Sequence, residues 1–234
     1  MLSPYAKREV LIIGGVGALL VAGCLAMAWW VVATVLAGLT AALLAFFRDP
    51  SRPIPTMRGH MLSPADGRIS SIHDLKHFEP FDGPAKCIRI FLSVLNVHVN
   101  RCPCHGRVAS VTRQPGQYLN ALNPEAAEVN ESVTVVLHDP GHDRPVAAVR
   151  QIAGTIARRI VCGLVDGDVV QRGQRYGIIK FGSTAELYLP DPANVKVQVR
   201  QGQRVHGAAT VLAVTGPNPA QPRPTTEHTQ VSSV

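Results

Sequence analysis

Tyr176-Gly177-Ile178-Ile179-Lys180-Phe181-Gly182-Ser183-Thr184 holds an apolar run, Tyr176 to Phe181, that ends in a glycine followed by a serine. Its aliphatic and aromatic content reads as a strand, and Gly182-Ser183 taken alone reads as the turn that ends it. The same pair meets the needs of a chain that cuts itself. In an N-to-O acyl shift a serine hydroxyl attacks the carbonyl of the preceding residue, which must leave room for a strained turn, and only glycine has no Cβ in the way. The ester can break by β-elimination to a dehydroalanine at position 183, which loses ammonia on hydration and becomes a pyruvoyl group. Such a ketone condenses with an amine and takes up the electrons of a decarboxylation, work otherwise done by a bound cofactor or a lysine.

Outward from this stretch, the N-terminal part is apolar. The chain of 234 residues is 46% hydrophobic and 17% charged, and from Val10 to Phe47 it carries no charged side chain. One bilayer crossing needs about 20 apolar residues, so the run is long enough for two. The expected spans are Val10–Ala28 and Val31–Phe47, with Trp29 and Trp30 at the far interface and Gly14, Gly15, Gly17, Gly23 and Gly38 at close helix contacts. Lys7 and Arg8 before the run and Arg48, Arg52 and Arg58 after it place both ends in the cytoplasm by the positive-inside rule. The region is too long for a cleaved signal peptide, and Phe46-Phe47-Arg48-Asp49-Pro50 has no small-residue cleavage pattern. A single tilted or re-entrant helix is the other reading.

The formal charge of +7 suits an anionic lipid surface. It does not suit nucleic acid, because no Lys/Arg stripe is interleaved with aromatics. Five cysteines in a cytoplasmic chain argue against a disulfide framework. Cys102-Pro103-Cys104-His105 lacks a second Cys/His pair with zinc spacing, so free thiols and no metal are expected. From Met61 the chain reads as short strands at Arg68–Ile72, within Cys87–Val99, at Ser132–His138 and at Val146–Ile152, with Pro124–Val129 as a helix or long loop. Val165–Gly177 and Val199–Gly207 share a rhythm of turn glycines and valines, either simple hairpin turns or a faint repeat similar to lipoyl- and biotinyl-like barrel sandwiches but without a lysine at the tip. The fold class expected is mainly β (α+β). A helical transmembrane hairpin (1–48) is followed by a β-rich cytoplasmic domain with barrel-sandwich-like hairpins (49–214) and a disordered tail (215–234) rich in proline and polar residues.

Several motifs then carry a family resemblance: Phe47-Arg48-Asp49-Pro50 with Arg52-Pro53-Ile54-Pro55, Ser63-Pro64-Ala65-Asp66-Gly67, Phe91-Leu92-Ser93, Asn96-Val97-His98-Val99-Asn100-Arg101, Asn130-Glu131, Ala157-Arg158-Arg159-Ile160 and Phe181-Gly182-Ser183-Thr184. Each is short, but in this order and spacing they make the chain resemble the phosphatidylserine decarboxylases, in their short membrane-anchored form, from Phe46 to about Leu212. The resemblance implies self-cleavage between Gly182 and Ser183 into a β chain (1–182) and an α chain (183–234), with a covalent pyruvoyl cofactor made from Ser183. It implies further that the amine of phosphatidylserine forms a Schiff base there, carbon dioxide leaves, and phosphatidylethanolamine is released at the inner cell membrane. Asp66 would orient or polarise the base of self-cleavage; its plain alternative is an Asp-Gly turn. His98, whose imidazole titrates near neutrality, is the candidate general acid and base, against a satisfied core histidine. Arg101 would bind the substrate's carboxylate or phosphate, or stand in a structural salt bridge. Asn130 and Glu131 would belong to the substrate-binding edge and Arg158 and Arg159 would face lipid phosphates, against the plain alternative of solvated surface groups, and Tyr118, Leu119 and Leu122 form an apolar lip or a plain buried patch. Association into a homo-oligomer is compatible with the chain. The competing functions are decarboxylation of another serine-headed lipid and a non-enzymatic membrane adaptor, which would leave Gly182-Ser183, Asp66 and His98 without a joint purpose.

Overall fold

The computed structural model describes residues 1–119, 126–154, 159–180 and 183–216. Two apolar helices come first, α1 (Lys7–Ala26) and α2 (Trp30–Phe46), within two or three residues of the expected spans. The stretch Pro4–Ala26 is long and apolar enough to cross a membrane, and Trp30–Phe46 is apolar but shorter. Side chains such as Leu11, Leu19 and Val31 are exposed around both. Of the five glycines expected at a helix contact, Gly17 alone is at one. A Cβ there would come within 2.5 Å of the Thr40 side chain, whereas Gly14, Gly15, Gly23 and Gly38 have nothing within 4 Å.

The remainder is β. Its strands are β1 (His60–Leu62), β2 (Gly67–Phe78), β3 (Gly83–Leu92), β4 (Val99–Arg101) and β5 (Gly106–Gln114), then, after the one-turn helix α3 (Ala126–Val129), β6 (Ser132–Asp139), β7 (His142–Ile152) and β8 (Ile160–Cys162). The last six are β9 (Val169–Val170), β10 (Arg175–Ile179), β11 (Ser183–Pro190), β12 (Val195–Val197), β13 (Arg204–Val205) and β14 (Val211–Thr215). An eight-stranded antiparallel sheet runs β13-β2-β3-β11-β7-β6-β5-β9, beside two three-stranded sheets, β1-β14-β12 and β4-β10-β8. Period-two alternation gives the large sheet its two faces. Ala185, Leu187 and Leu189 of β11 enter the main core with Ile88, Ile90 and Leu92 of β3 and Val133, Val135 and Leu137 of β6, so the sheet curls around an apolar centre. Tyr188 faces the other way, with Cys87, Val136 and Ala148.

The faint repeat is a structural one. Gly167 and Gly202 sit at φ +91° and +82°, the left-handed region that favours glycine. Gly202 N donates to Ile69 O and Ile69 N to Gln203 O, at 2.8 and 2.9 Å; Gly167 N donates to Val108 O and Val108 N to Asp168 O, both at 2.8 Å. The strand after each turn then covers one edge of the large sheet, β13 on β2 and β9 on β5. Both covered strands shift register at the same place, between Ile69 and Ser71 and between Val108 and Ser110. They also start alike, with Pro64-Ala65-Asp66-Gly67-Arg68-Ile69 against Pro103-Cys104-His105-Gly106-Arg107-Val108.

Two boundaries differ from expectation. Thr215 ends β14 and bonds to Gly59, and Gly216 N bonds to Asn194 O, so the ordered chain reaches past position 214; residues 217–234 lie outside the described residues. Ser183 does not follow a strand as part of its closing turn. β10 ends at Ile179 in the small β4-β10-β8 sheet, and Ser183 opens β11 at the middle of the large one.

Candidate active site

The register of the large sheet decides which residues meet. Arg68 pairs with Phe91, Ser183 with Leu92, Thr184 with Ile152 and Ile152 with Ser132. One row of strand ends therefore carries Asp66 just before β2, Ser93 after β3, Ser183 at the start of β11, Ala153 after β7 and Glu131 just before β6. Ser183 shares the parity of Ala185 and so faces the inside of the curl. It is fully buried, and its Oγ has no hydrogen-bond partner among the described residues. A buried hydroxyl left unpaired costs about 1–3 kcal/mol, which a serine of purely structural use would avoid.

The chain reaches the same end again through the loop after β3. There Asn96 brings in Val97 and His98, and the His98 carbonyl accepts from Ile179 N at 3.3 Å, beside the last residue of β10. His98 is fully buried, with its ring against that of Phe46, centroids 4.4 Å apart. Its Nδ1 lies 2.9 Å from the Asn96 carbonyl. A carbonyl only accepts, so Nδ1 carries the hydrogen and Nε2 the lone pair. Nε2 has no partner among the described residues. Burial is the main cause that lowers the pKa of His98 from 6.5 to about 4; Arg48 pushes the same way, while the Asn96 carbonyl and Asp66 oppose. At neutral pH the ring is an uncharged base with a free nitrogen.

Asp66 is nearly buried and well supplied with donors. Arg52 Nη2 lies at 2.7 Å from Oδ2, Gly207 N at 2.8 Å from Oδ1, and His206 Nδ1 at 3.4 Å from Oδ2. It influences His98 through its charge; the ring's own hydrogen bond goes to Asn96. Arg101 stands in a buried salt bridge. Its Nη2 donates to Asp49 Oδ1 at 2.6 Å and to Pro50 O at 3.2 Å, and its Nη1 to Gly173 O at 3.2 Å, while Arg175 Nε holds the other Asp49 oxygen. Asp49 is three residues past the end of α2, so the pair ties the end of the helices to the β domain. The guanidinium expected at the substrate is thus engaged in structure, the second of the two readings its position allowed.

Asn130 is buried and acts as a clip. Its side chain accepts from Leu119 N at 2.8 Å and donates to Leu119 O at 2.9 Å and Ala153 O at 2.8 Å. Glu131 accepts from Tyr118 OH at 2.8 Å. Asn130 and Glu131 are thus bonded to two of the three residues expected in the lip, Tyr118 and Leu119, at the Ser183 end of the sheet. Arg159 is exposed and accepts Lys180 N at its carbonyl, at 3.4 Å. Phe181, Gly182, Arg158 and Leu122 lie outside the described residues. The thiols of Cys102 and Cys104 are buried in the main core, and burial pushes Cys104 up to about 12.

The sequence did not mark Arg52, Phe46 and Arg48 as neighbours of the site, although Arg48 and Arg52 lie in motifs quoted above for the family resemblance and Phe46 directly precedes the first of them. It also missed Asn100 and Gln151, two fully buried amides joined at 2.8 Å across two sheets. No local pattern could have paired them.

The family model described as phosphatidylserine decarboxylase matches residues 39–213, most of the chain. The chain belongs to the phosphatidylserine decarboxylase family. Among its relatives, a phosphatidylserine decarboxylase proenzyme of Symbiobacterium thermophilum is 42% identical over 198 residues, covering 84% of this chain and 90% of the relative. One of Rhodopirellula baltica is 42% identical over 186 residues, 79% and 76% of the two chains. One of Ralstonia nicotianae is 44% identical over 176 residues, 75% and 79%. All three matches are far longer than the short motifs that first suggested the family.

Proposed function

We infer that the chain is a phosphatidylserine decarboxylase proenzyme that cleaves itself between Gly182 and Ser183 and then converts phosphatidylserine to phosphatidylethanolamine. The observation that carries the reading is the buried, unpaired Ser183 Oγ at the head of β11, with the equally unpaired His98 Nε2 in the loop that reaches the same end of the sheet. In maturation, Ser183 Oγ attacks the Gly182 carbonyl carbon and His98 Nε2 takes the hydroxyl proton. Loss of the Ser183 α-proton then expels the Gly182 carboxylate, the C-terminus of the β chain; water enters and ammonia leaves. Asp66, fixed by Arg52 and Gly207, favours the imidazolium that forms as His98 takes the proton.

The buried position fits a pyruvoyl group at residue 183, shielded from bulk water. That group would supply the carbonyl that binds the substrate amine and holds the electrons left by carbon dioxide. His98 would then return a proton to the substrate carbon. Asn130 and Glu131 hold the Tyr118-Leu119 lip at the entrance, and Arg158 and Arg159 meet lipid phosphate. Arg101 fixes the junction with the helices and shapes the site from behind.

We read residues 1–48 as a two-helix transmembrane anchor with both ends on the cytoplasmic side of the cell membrane, 49–214 as the decarboxylase domain, and the repeated edge turns as a barrel-sandwich plan. The anchor keeps the domain against anionic lipid. Purified wild type in mixed vesicles should release carbon dioxide from phosphatidylserine and yield phosphatidylethanolamine, while Ser183→Ala should yield none. Equal or faster release from an ether-linked or other serine-headed lipid would transfer the activity to that substrate.

A further inference from the structure

The loop between β3 and β4 displays two large apolar side chains on a rigid support. Ser93 N and Ser93 Oγ both donate to Asn96 Oδ1, at 2.9 and 2.7 Å, and Asn96 N donates back to Ser93 O at 2.9 Å. The turn is thereby closed on itself, and the residues within it have nowhere to fold away. Val94 is 44% exposed and Leu95 82%. Single exposed aliphatics are common on protein surfaces, so exposure alone says little. Position says more. Arg48 Nη2 donates to the Leu95 carbonyl at 2.5 Å, and Arg48 is two residues past the end of α2. Val97, the next residue but one, is buried with Phe46 and Phe47 at the foot of the helices. His98 comes immediately after it.

We propose that Val94 and Leu95 form a lipid-inserting knob, seated in the bilayer next to the point where α2 leaves it, at the mouth of the site. The proposal rests on the reading of the chain as a membrane-anchored decarboxylase. The occupant is a lipid surface rather than another protein because the knob is continuous with two apolar helices. Arg48 borders it, and the exposed Lys7 and Arg8 open α1 next to Ala6, which is buried in one cluster with Phe46, Phe47 and Val97, a charge arrangement that matches anionic headgroups. Leu95 then marks the depth of the acyl chains and His98 the depth of the headgroup. A substrate can reach residue 183 without its tails leaving the membrane.

The test uses the full chain in vesicles of phosphatidylcholine and phosphatidylserine. The protein has two tryptophans, so a Trp29→Phe, Trp30→Phe background leaves Leu95→Trp as the sole indole. Its emission should be blue-shifted and strongly quenched by lipids brominated on the acyl chain. Emission typical of water, unaffected by the brominated lipid, overturns the proposal. In a second arm, Leu95→Asp should lower the rate on vesicle-embedded phosphatidylserine, relative to the rate on a monomeric short-chain phosphatidylserine, by about tenfold. An equal change on both substrates also overturns it. Intact mass, read in parallel, reports whether the wild type cleaves itself. If it does not, the decarboxylase reading fails while the quenching result still judges the knob.

Discussion

At residue 98 the sequence offered a histidine beside apolar neighbours, a pattern shared by core histidines and by catalytic bases. The structure separates them: a core histidine would use both nitrogens, and here Asn96 takes one and Nε2 is left over. With the folded value at about 4 and the unfolded one at 6.5, the unfolded chain binds a proton in that window and the native protein does not. Stability contributed by this group is therefore full above pH 6.5 and lost as pH falls towards 4, by about 3 kcal/mol in all. Denaturant melts of Ser183→Ala, which stays uncut, should show that slope, and the same variant with His98→Ala should lose it. Self-cleavage should also slow in His98→Ala by a factor of about 10²–10⁴, measured as the half-time of chain conversion. Arg101 was legible as a forked cation but not as to partner, because Asp49 lies far from it in sequence. Asp49→Ala would leave that buried guanidinium without its carboxylate, a loss of about 3–5 kcal/mol visible as a lower midpoint in urea.

Elements were easier to read where their pattern was strong. The charge-free run up to Phe47 and the β-branched runs of β6 and β7 gave helices and strands close to their true bounds, since periodicity is local. What was not local was the jump from β10 to β11 between two sheets, so the strand expected from Tyr176 matches β10 as far as Ile179, but Ser183, expected in its closing turn, opens another strand. The repeat was heard only as a rhythm of glycines; the hydrogen bonds of Ile69 and Val108 that define it link distant segments. Gly67 shows how tightly one such junction is made. An added Cβ would lie 2.2 Å from the Phe91 carbonyl oxygen, in contact with backbone that cannot yield. Gly67→Ala should force β2 from β3, lower the thermal midpoint by several degrees or more, and slow self-cleavage by displacing Asp66; Gly83→Ala, whose nearest neighbour is 3.7 Å away, is the control.

In the whole molecule, the segment after Ser183 supplies the centre of the fold. β11 lies between β3 and β7, β14 lies between β1 and β12, and β13 covers the edge of β2. A break before Ser183 leaves all of these pairings intact, so the two chains should co-elute in gel filtration and part only in denaturant. The helices are joined to the same body. Met1 O accepts Asp49 N, Tyr5 OH donates to Arg175 O, and Lys180 pairs with Glu9 of α1. The measurement that tests the central claim most directly is the intact mass of the purified protein beside Ser183→Ala. Two chains are expected, one ending at Gly182 and one starting at position 183 and lighter by one ammonia than simple hydrolysis would leave it, with the variant uncut. A folded, membrane-bound wild type that remains a single chain would contradict it, and with it the electrophile on which decarboxylation depends.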